Sequence, residues 1–198
     1  MSNFAGLQID EMTVRRAQRG DSAALTEVFE SFAPAVYTLA LRLCQSEALA
    51  DDLTQETFMT VMKSLPKFRF EASLATWIRR IAVSRCLMHL RSAWAQKSSP
   101  IDEQPEIESA AMGPGQAIEM QNDMGAALGA LSPTARTVVW LYDVEGYAHA
   151  EIAEMMDKTV SFSKSCLSRA HRQLRDLLEP TSGINKPATS EPVKRCSL

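Results

Sequence analysis

Apolar residues recur every three or four positions along most of the chain, and no strand-like alternation bounded by turn dipeptides breaks that rhythm. The stretch "DSAALTEVFESFAPAVYTLALRLC" sets Leu25, Val28, Phe29, Phe32, Val36, Leu39, Ala40 and Leu43 at helical spacing. Asp21 follows Gly20 and is a good N-cap, because its carboxylate accepts from first-turn amides that have no partner inside the helix. Pro34 lacks one backbone donor and is expected to bend this helix. A second helix is predicted over 46–65, capped by Ser46, with Leu53, Thr57, Val61 and Leu65 on one side. "PKFRFEAS" then breaks the pattern. A third helix is predicted from Ser73 to Gln96, with Trp77, Ile81 and Arg85/Met88 along one side and Leu87/Leu90 along another.

The character changes at about 97–122, where "KSSPIDEQPEIESAAMGPGQ" brings two prolines, a Gly-Pro-Gly and clustered acids. Such a stretch reads as a flexible linker. Helical spacing then resumes. "LSPTARTVVWLYDVEG" has Ser132 as N-cap, Pro133 at the first helical position and Gly146 as the stop. A short helix is predicted at about 149–156, then a longer one with Ser161 as its cap. The tail from Pro180 has three prolines and little apolar content, and is expected to be disordered. The reading is all-α: two small helical domains joined by a flexible linker.

Composition narrows this little. The chain has 198 residues, 45% of them hydrophobic, as globular proteins do. No apolar run approaches the roughly 20 residues that cross a bilayer, and the N-terminus lacks a signal-peptide pattern, so cytoplasmic residence without membrane contact is expected. Cys44, Cys86, Cys166 and Cys196 lie far apart, which argues against a disulfide framework or a zinc site. His89, His149 and His171 make no ligand spacing, and no Gly-rich phosphate loop or nucleophile set stands out. Neither an enzyme nor a cofactor is expected.

Charge says more. The formal net charge is -3, yet the signs segregate. Residues 47–57 hold Glu47, Asp51, Asp52 and Glu56 and no base. Over 63–97, Lys63, Lys67, Arg69, Arg79, Arg80, Arg85, Arg91 and Lys97 face only Glu71. Over 158–175, Lys158, Lys164, Arg169, Arg172 and Arg175 meet no acid. Two basic stretches separated by acidic sequence suggest two places that touch a polyanion.

The last two helices carry the sharper signal. "HAEIAEMMDKTVSFSKSCLSRAHRQLR" reads as a short helix, a tight turn and a longer helix. Ile152, Ala153 and Met156 would pack against Leu167, Ala170, Leu174 and Leu177. Lys164, Ser165, Ser168, Arg169, Arg172 and Arg175 then face outward. That is the helix-turn-helix layout, whose second helix enters the major groove. Spacing alone leaves open the solvated face of an ordinary helical hairpin. A regulator that binds operators without polymerase would also fit this half, and a structural adaptor would show no salt-dependent DNA affinity.

"LSPTARTVVWLYDVEGYAHAEIAEMM" with "LSRAHRQLR" resembles the second DNA-binding domain of the extracytoplasmic-function sigma factors, small members of the sigma-70 family. "ADDLTQETFMTVMKSLPKF" and "ASLATWIRRIAVSRCLMHLR" are similar to that family's segments for polymerase and the −10 element. The resemblance covers about 12–95 and 123–179. It implies region 2 over 12–95, a linker over 96–122, region 4 over 123–179 and a disordered tail over 180–198. It also implies a function: giving core RNA polymerase promoter specificity and helping to open the DNA.

By match to the family, Asp51, Asp52, Gln55 and Glu56 dock on the polymerase. Lys67, Phe68, Arg69, Arg79, Arg80, Ser84, Arg85 and Arg91 meet the −10 element. Unstacked bases recover energy on aromatic and guanidinium planes, which suits the "KFRF" turn. Phe68 or Phe70 can instead be core, and Trp77 reads as a core anchor. Ser163, Lys164, Ser165, Ser168, Arg169 and Arg172 meet the −35 element. Departures are Ser84 and Met88 where the family usually has Asn and Asp, Ala148 for a Ser cap, and Phe162 and Cys166 in "SFSKSC". Thr54 stands where an aliphatic residue is common. It is a possible phosphorylation site for a Ser/Thr kinase, as an alternative to control by an anti-sigma protein. Promoter DNA and core RNA polymerase are the expected partners.

Overall fold

Four polar side chains open helices by the same physics. The computed structural model describes residues 3–97 and 123–178, with side chains over 3–92 and 126–178. Asp10 accepts from Thr13 N at 3.0 Å and opens α1, Glu11–Gln18. Asp21 accepts from Ala24 N at 3.1 Å and opens α2, Ser22–Cys44. Ser46 opens α3, Glu47–Ser64, and a 3-10 turn over Leu65–Lys67 closes it. Ser73 Oγ accepts from Thr76 N at 3.1 Å at the start of α4, Leu74–Lys97. Each cap satisfies a backbone donor that the helix itself leaves unpaired, for about 1 kcal/mol.

The four helices bury one core. Phe32, Leu39 and Leu43 of α2, Val61 of α3, Leu65, and Ile78 and Leu87 of α4 are fully enclosed. Each contributes about 1.5–3 kcal/mol by leaving water. Pro34 sits inside α2, and its carbonyl accepts from Thr38 Oγ1 at 2.8 Å. The buried side of α4 is Ile78, Ala82, Val83, Cys86, Leu87 and Leu90. The expected Trp77–Ile81–Met88 side is only partly covered, and Met88 is 55% exposed.

The second unit comprises α5 (Asp123–Gly129), α6 (Pro133–Val139), α7 (His149–Met156) and α8 (Val160–Leu178). Ser132 caps α6 with Pro133 at its start, as the sequence suggests. A π turn over Trp140–Val144 extends α6, and Gly146 ends it at a φ of +74°, where a side chain would be strained. Asp157 ends α7 in the left-handed region, so only Lys158 and Thr159 precede α8. Thr159, not Ser161, caps α8: its Oγ1 accepts from Phe162 N at 3.1 Å. Leu131, Val138, Leu141, Ile152 and Ala170 form the local core. Leu177 is 52% exposed, so the buried seam of the hairpin is shorter than its apolar pattern suggests.

The two units touch, α4 against α7 and α2 against α6. Among the described residues there is no strand, and no helix is long and apolar enough to cross a membrane. The expected linker lies mostly outside the described residues, as does the tail from Pro180.

Candidate functional site

Three surfaces follow from which side chains the cores leave outside. The first is on α3. Leu53, Thr54, Thr57 and Phe58 turn inward, so Asp51, Asp52, Gln55 and Glu56 share the exposed face. Phe29 of α2 packs edge-on against Phe58 at 4.8 Å, and both Phe29 and Met59 remain exposed beside the acids. The result is an acidic face with an apolar fringe. Thr54 is not on it. Its side chain is 8% exposed, and its hydroxyl donates to the Ala50 carbonyl at 2.7 Å. A kinase would first have to draw it out of the helix packing.

The second surface joins the turn after α3 to α4. Phe68 is buried, with its ring 5.0 Å from Trp77 and 4.9 Å from Phe70. It is a core residue and offers no face to a base. Phe70 is half-buried at a φ of +61°, held between Phe68 and the Arg15 guanidinium, 4.9 Å from its ring. Gln18 Nε2 donates to the carbonyls of Leu65 at 3.1 Å and Phe68 at 2.8 Å. The short helix α1 therefore props the turn, a role that reading the chain without long-range contacts does not reveal. Lys67 and Arg69 project from the turn into solvent.

Along α4 opens a cleft of about 430 Å³ lined by Thr60, Trp77, Arg80, Ile81, Ser84, Arg85 and Met88. Arg85 donates to Thr60 Oγ1 at 2.7 Å, which aims it along the cleft wall. Arg80, Ser84 and Arg85 thus gather at one open, partly apolar site, whereas Arg79 and Arg91 point elsewhere. Arg79 donates to the Glu145 carbonyl at 2.7 Å, lies 3.7 Å from its carboxylate and rests over the Tyr147 ring. Arg91 donates to the Met155 carbonyl. In this arrangement the second unit occupies both.

The third surface is the outer face of α8. Positions 164, 165, 168, 169 and 172 recur at the spacing of one helical face, and all five side chains are exposed. Cys166, Leu167 and Ala170 turn inward. Ser163 is also inside, only 1% exposed, and its hydroxyl bonds to His149 Nδ1 at 3.0 Å. It joins α7 to α8 and is not part of the exposed face, contrary to the expectation from its place beside Lys164. His149 stacks on Tyr142 at 4.4 Å, which ties α7 to the π turn, and His171 reaches Asp143 at 2.6 Å, which ties α8 to it. Ser163→Ala should leave the His149 ring nitrogen without its partner and cost about 1 kcal/mol. Thermal unfolding of the chain should register this loss, with preference among DNA sequences unchanged.

Two separate matches fall on these two units. Residues 28–96 match the family Sigma-70 region 2, and residues 121–174 match Sigma-70, region 4. The chain belongs to the sigma-70 family. The order of the matches is the order in which the acidic face, the cleft and the helix-turn-helix occur.

Relatives refine the branch of this sigma factor. It is 28% identical to the ECF RNA polymerase sigma factor SigM of Mycobacterium tuberculosis, over 80% of this chain and 79% of that one. It is 31% identical to the ECF RNA polymerase sigma factor SigE of Mycolicibacterium smegmatis, over 80% and 64%. Among solved structures it is similar to the sigma factor RpoE of Bartonella quintana, crystallised with the anti-sigma factor NepR. That match has a TM-score of 0.51 and 26% identity, and covers 79% of this chain and 97% of that one. The chain is an ECF-type alternative sigma factor that recognises promoters.

Proposed function

We propose that this sigma factor divides promoter recognition among its three surfaces. The exposed acids Asp51, Asp52 and Glu56, with Gln55, dock on a basic surface of core RNA polymerase. Opposite charge speeds encounter and sets register, and the exposed Phe29 and Met59 add apolar contact. The cleft walled by Arg80, Ser84 and Arg85 receives the −10 strand, with Lys67 and Arg69 holding phosphate at its mouth. Trp77 and Met88 line the same cleft and give an unstacked base something apolar to lie on. The outer face of α8 reads the −35 element in the major groove through Lys164, Ser165, Ser168 and Arg169, while Arg172 meets backbone phosphate.

The observation that carries this reading is the co-location of Arg80, Ser84 and Arg85 at one cleft, on the same unit as the acidic face. A strand taken up along α4 has a further requirement. Arg79 and Arg91 contact DNA only if they release Glu145 and Met155, so the two units separate when the sigma factor works. A fluorescently labelled −10 strand should bind the holoenzyme, and Arg80→Ala with Arg85→Ala should weaken it about tenfold or more. Binding that is indifferent to both changes contradicts this use of the cleft.

Control by a protein partner fits an acidic, partly apolar surface that must not meet polymerase at the wrong time. An anti-sigma protein is the expected partner, as NepR is for RpoE of Bartonella quintana. Control by a kinase at Thr54 is the alternative. A phosphate of about −1.5 to −2 charge has no place in the buried position Thr54 now holds, so its addition would reshape α3 beside the acids. Thr54→Ala and Thr54→Glu forms should then differ in the transcription they drive in cells, and equal transcription removes this alternative.

A further inference from the structure

Helix α1 lines no part of the cleft along α4, yet it grips the turn that leads into that helix. Its buried side, Thr13, Val14 and Ala17, seats it on the core of the first unit. From its last position, the single amide nitrogen of Gln18 donates to the carbonyls of Leu65 at 3.1 Å and Phe68 at 2.8 Å. Those carbonyls stand on either side of Pro66 and Lys67. Arg15, three positions earlier, is aimed by Glu11, which accepts from its Nε at 2.7 Å. Its guanidinium lies 4.9 Å from the centre of the Phe70 ring, and Phe68 stands 4.9 Å from the same ring. Positions 65, 68 and 70 are thus held, while Lys67 and Arg69 between them are exposed.

The backbone of Phe70 points the same way. Its φ of +61° lies in the left-handed region, where a Cβ crowds the chain and glycine is the usual choice. Strain of this kind persists only where the surroundings over-determine it, and it collects at binding sites. A glycine at position 70 would relieve it, but would leave Arg15 and Phe68 no ring to hold. The core needs the Phe68 ring, which is buried against Trp77. The two carbonyl bonds of Gln18 and the strained Phe70 serve something else: they fix the path of the chain on both sides of two exposed cations.

We propose that Gln18 and Arg15 are positioning residues for the −10 strand: without touching DNA, they fix the turn over 65–70 so that Lys67 and Arg69 stand ready for its phosphates. This role rests on the reading of Lys67 and Arg69 as phosphate contacts. A segment ordered in advance loses less freedom when its ligand arrives, so the same two charges hold the strand more tightly. Gln18 supplies the two donors, and Arg15 supplies the cation that keeps the Phe70 ring in place.

The test is a double-mutant cycle in the holoenzyme. The probe is a labelled single-stranded oligonucleotide carrying the −10 sequence mapped from run-off transcripts. Gln18→Met keeps the length of the side chain and has no donor. It should weaken binding of the probe about fivefold or more, with affinity for core polymerase unchanged. In a Lys67→Ala/Arg69→Ala background, itself weakened, the same change should have no further effect. Arg15→Met should behave alike in the same cycle. Gln18→Asn keeps the amide but draws it back by one methylene, and should show the same loss with less disturbance of packing. Hydrogen exchange of the full chain should show the amides of 68–71 opening faster in Gln18→Met. Unchanged probe binding by both Gln18 variants, beside a weakened Lys67→Ala/Arg69→Ala form, overturns the positioning role alone. Losses that add in the cycle overturn it too, because Gln18 would then act other than through the turn. A Lys67→Ala/Arg69→Ala form that binds as the parent does removes the phosphate reading and this role with it.

Discussion

Replacing Asp51 and Asp52 together by Lys should weaken binding to core RNA polymerase about tenfold or more, or about 1.4 kcal/mol. Both side chains are exposed on α3, and the residues that hold that helix to the core, Leu53, Thr57 and Val61, are untouched. The fold should therefore survive, and circular dichroism should show the same helical content. The loss should come from like charges brought face to face, so added salt should narrow the gap between variant and parent. Titration of labelled polymerase at two salt concentrations reads both effects. Equal affinity at low salt would mean that the acids are only a solvated face.

The second large effect concerns α8. Lys164→Ala and Arg169→Ala should each cost about 1–3 kcal/mol on the preferred −35 sequence and relax preference at one position. Arg172→Ala should weaken all sequences alike and reduce the slope of log affinity against log salt by about one. The difference rests on where the side chains project. Lys164 and Arg169 leave the first half of the helix, the end that enters the groove, and Arg172 lies a turn beyond Ser168. Ser168 is short, and on the proposed reading its size would let Lys164 and Arg169 approach the base edges. Promoter activity of the three variants against a library of −35 sequences separates the cases. A uniform loss from Lys164→Ala and Arg169→Ala would assign them to phosphate alone.

What the chain makes legible is mainly local. Asp21, Ser46 and Ser132 could be placed as caps because each precedes an apolar helical rhythm and offers an oxygen to amides two or three residues on. The exposed face of α8 follows from its period, since the cationic positions alternate with Leu167 and Ala170. Thr159 and Ser161 compete as caps by type. The choice is made by Asp157, whose left-handed turn ends α7 early, a backbone fact with no clear residue signature.

Long-range contacts were hidden. α1 has only eight residues, and its one signal is Asp10 three positions before Thr13. Its grip on the turn after α3 depends on Gln18 meeting carbonyls about fifty positions away. Ser163 lies one position before Lys164 and looks like part of the polar face. The helical period nevertheless turns it toward His149. Arg79 and Arg91 look like the other cations of α4 until the second unit is seen to hold them. Phe68 could be inside or outside by type, and packing against Trp77 puts it inside.

Transcription reconstituted from purified parts tests the central claim most directly. Core RNA polymerase, this protein and a genomic DNA library should yield run-off transcripts whose starts lie downstream of a shared pair of −35 and −10 sequences. Those starts should vanish when the protein is omitted, and selection among the −35 sequences should shift with Lys164→Ala. Transcripts that are the same with and without the protein, or starts that share no upstream sequence, would contradict promoter recognition by this sigma factor.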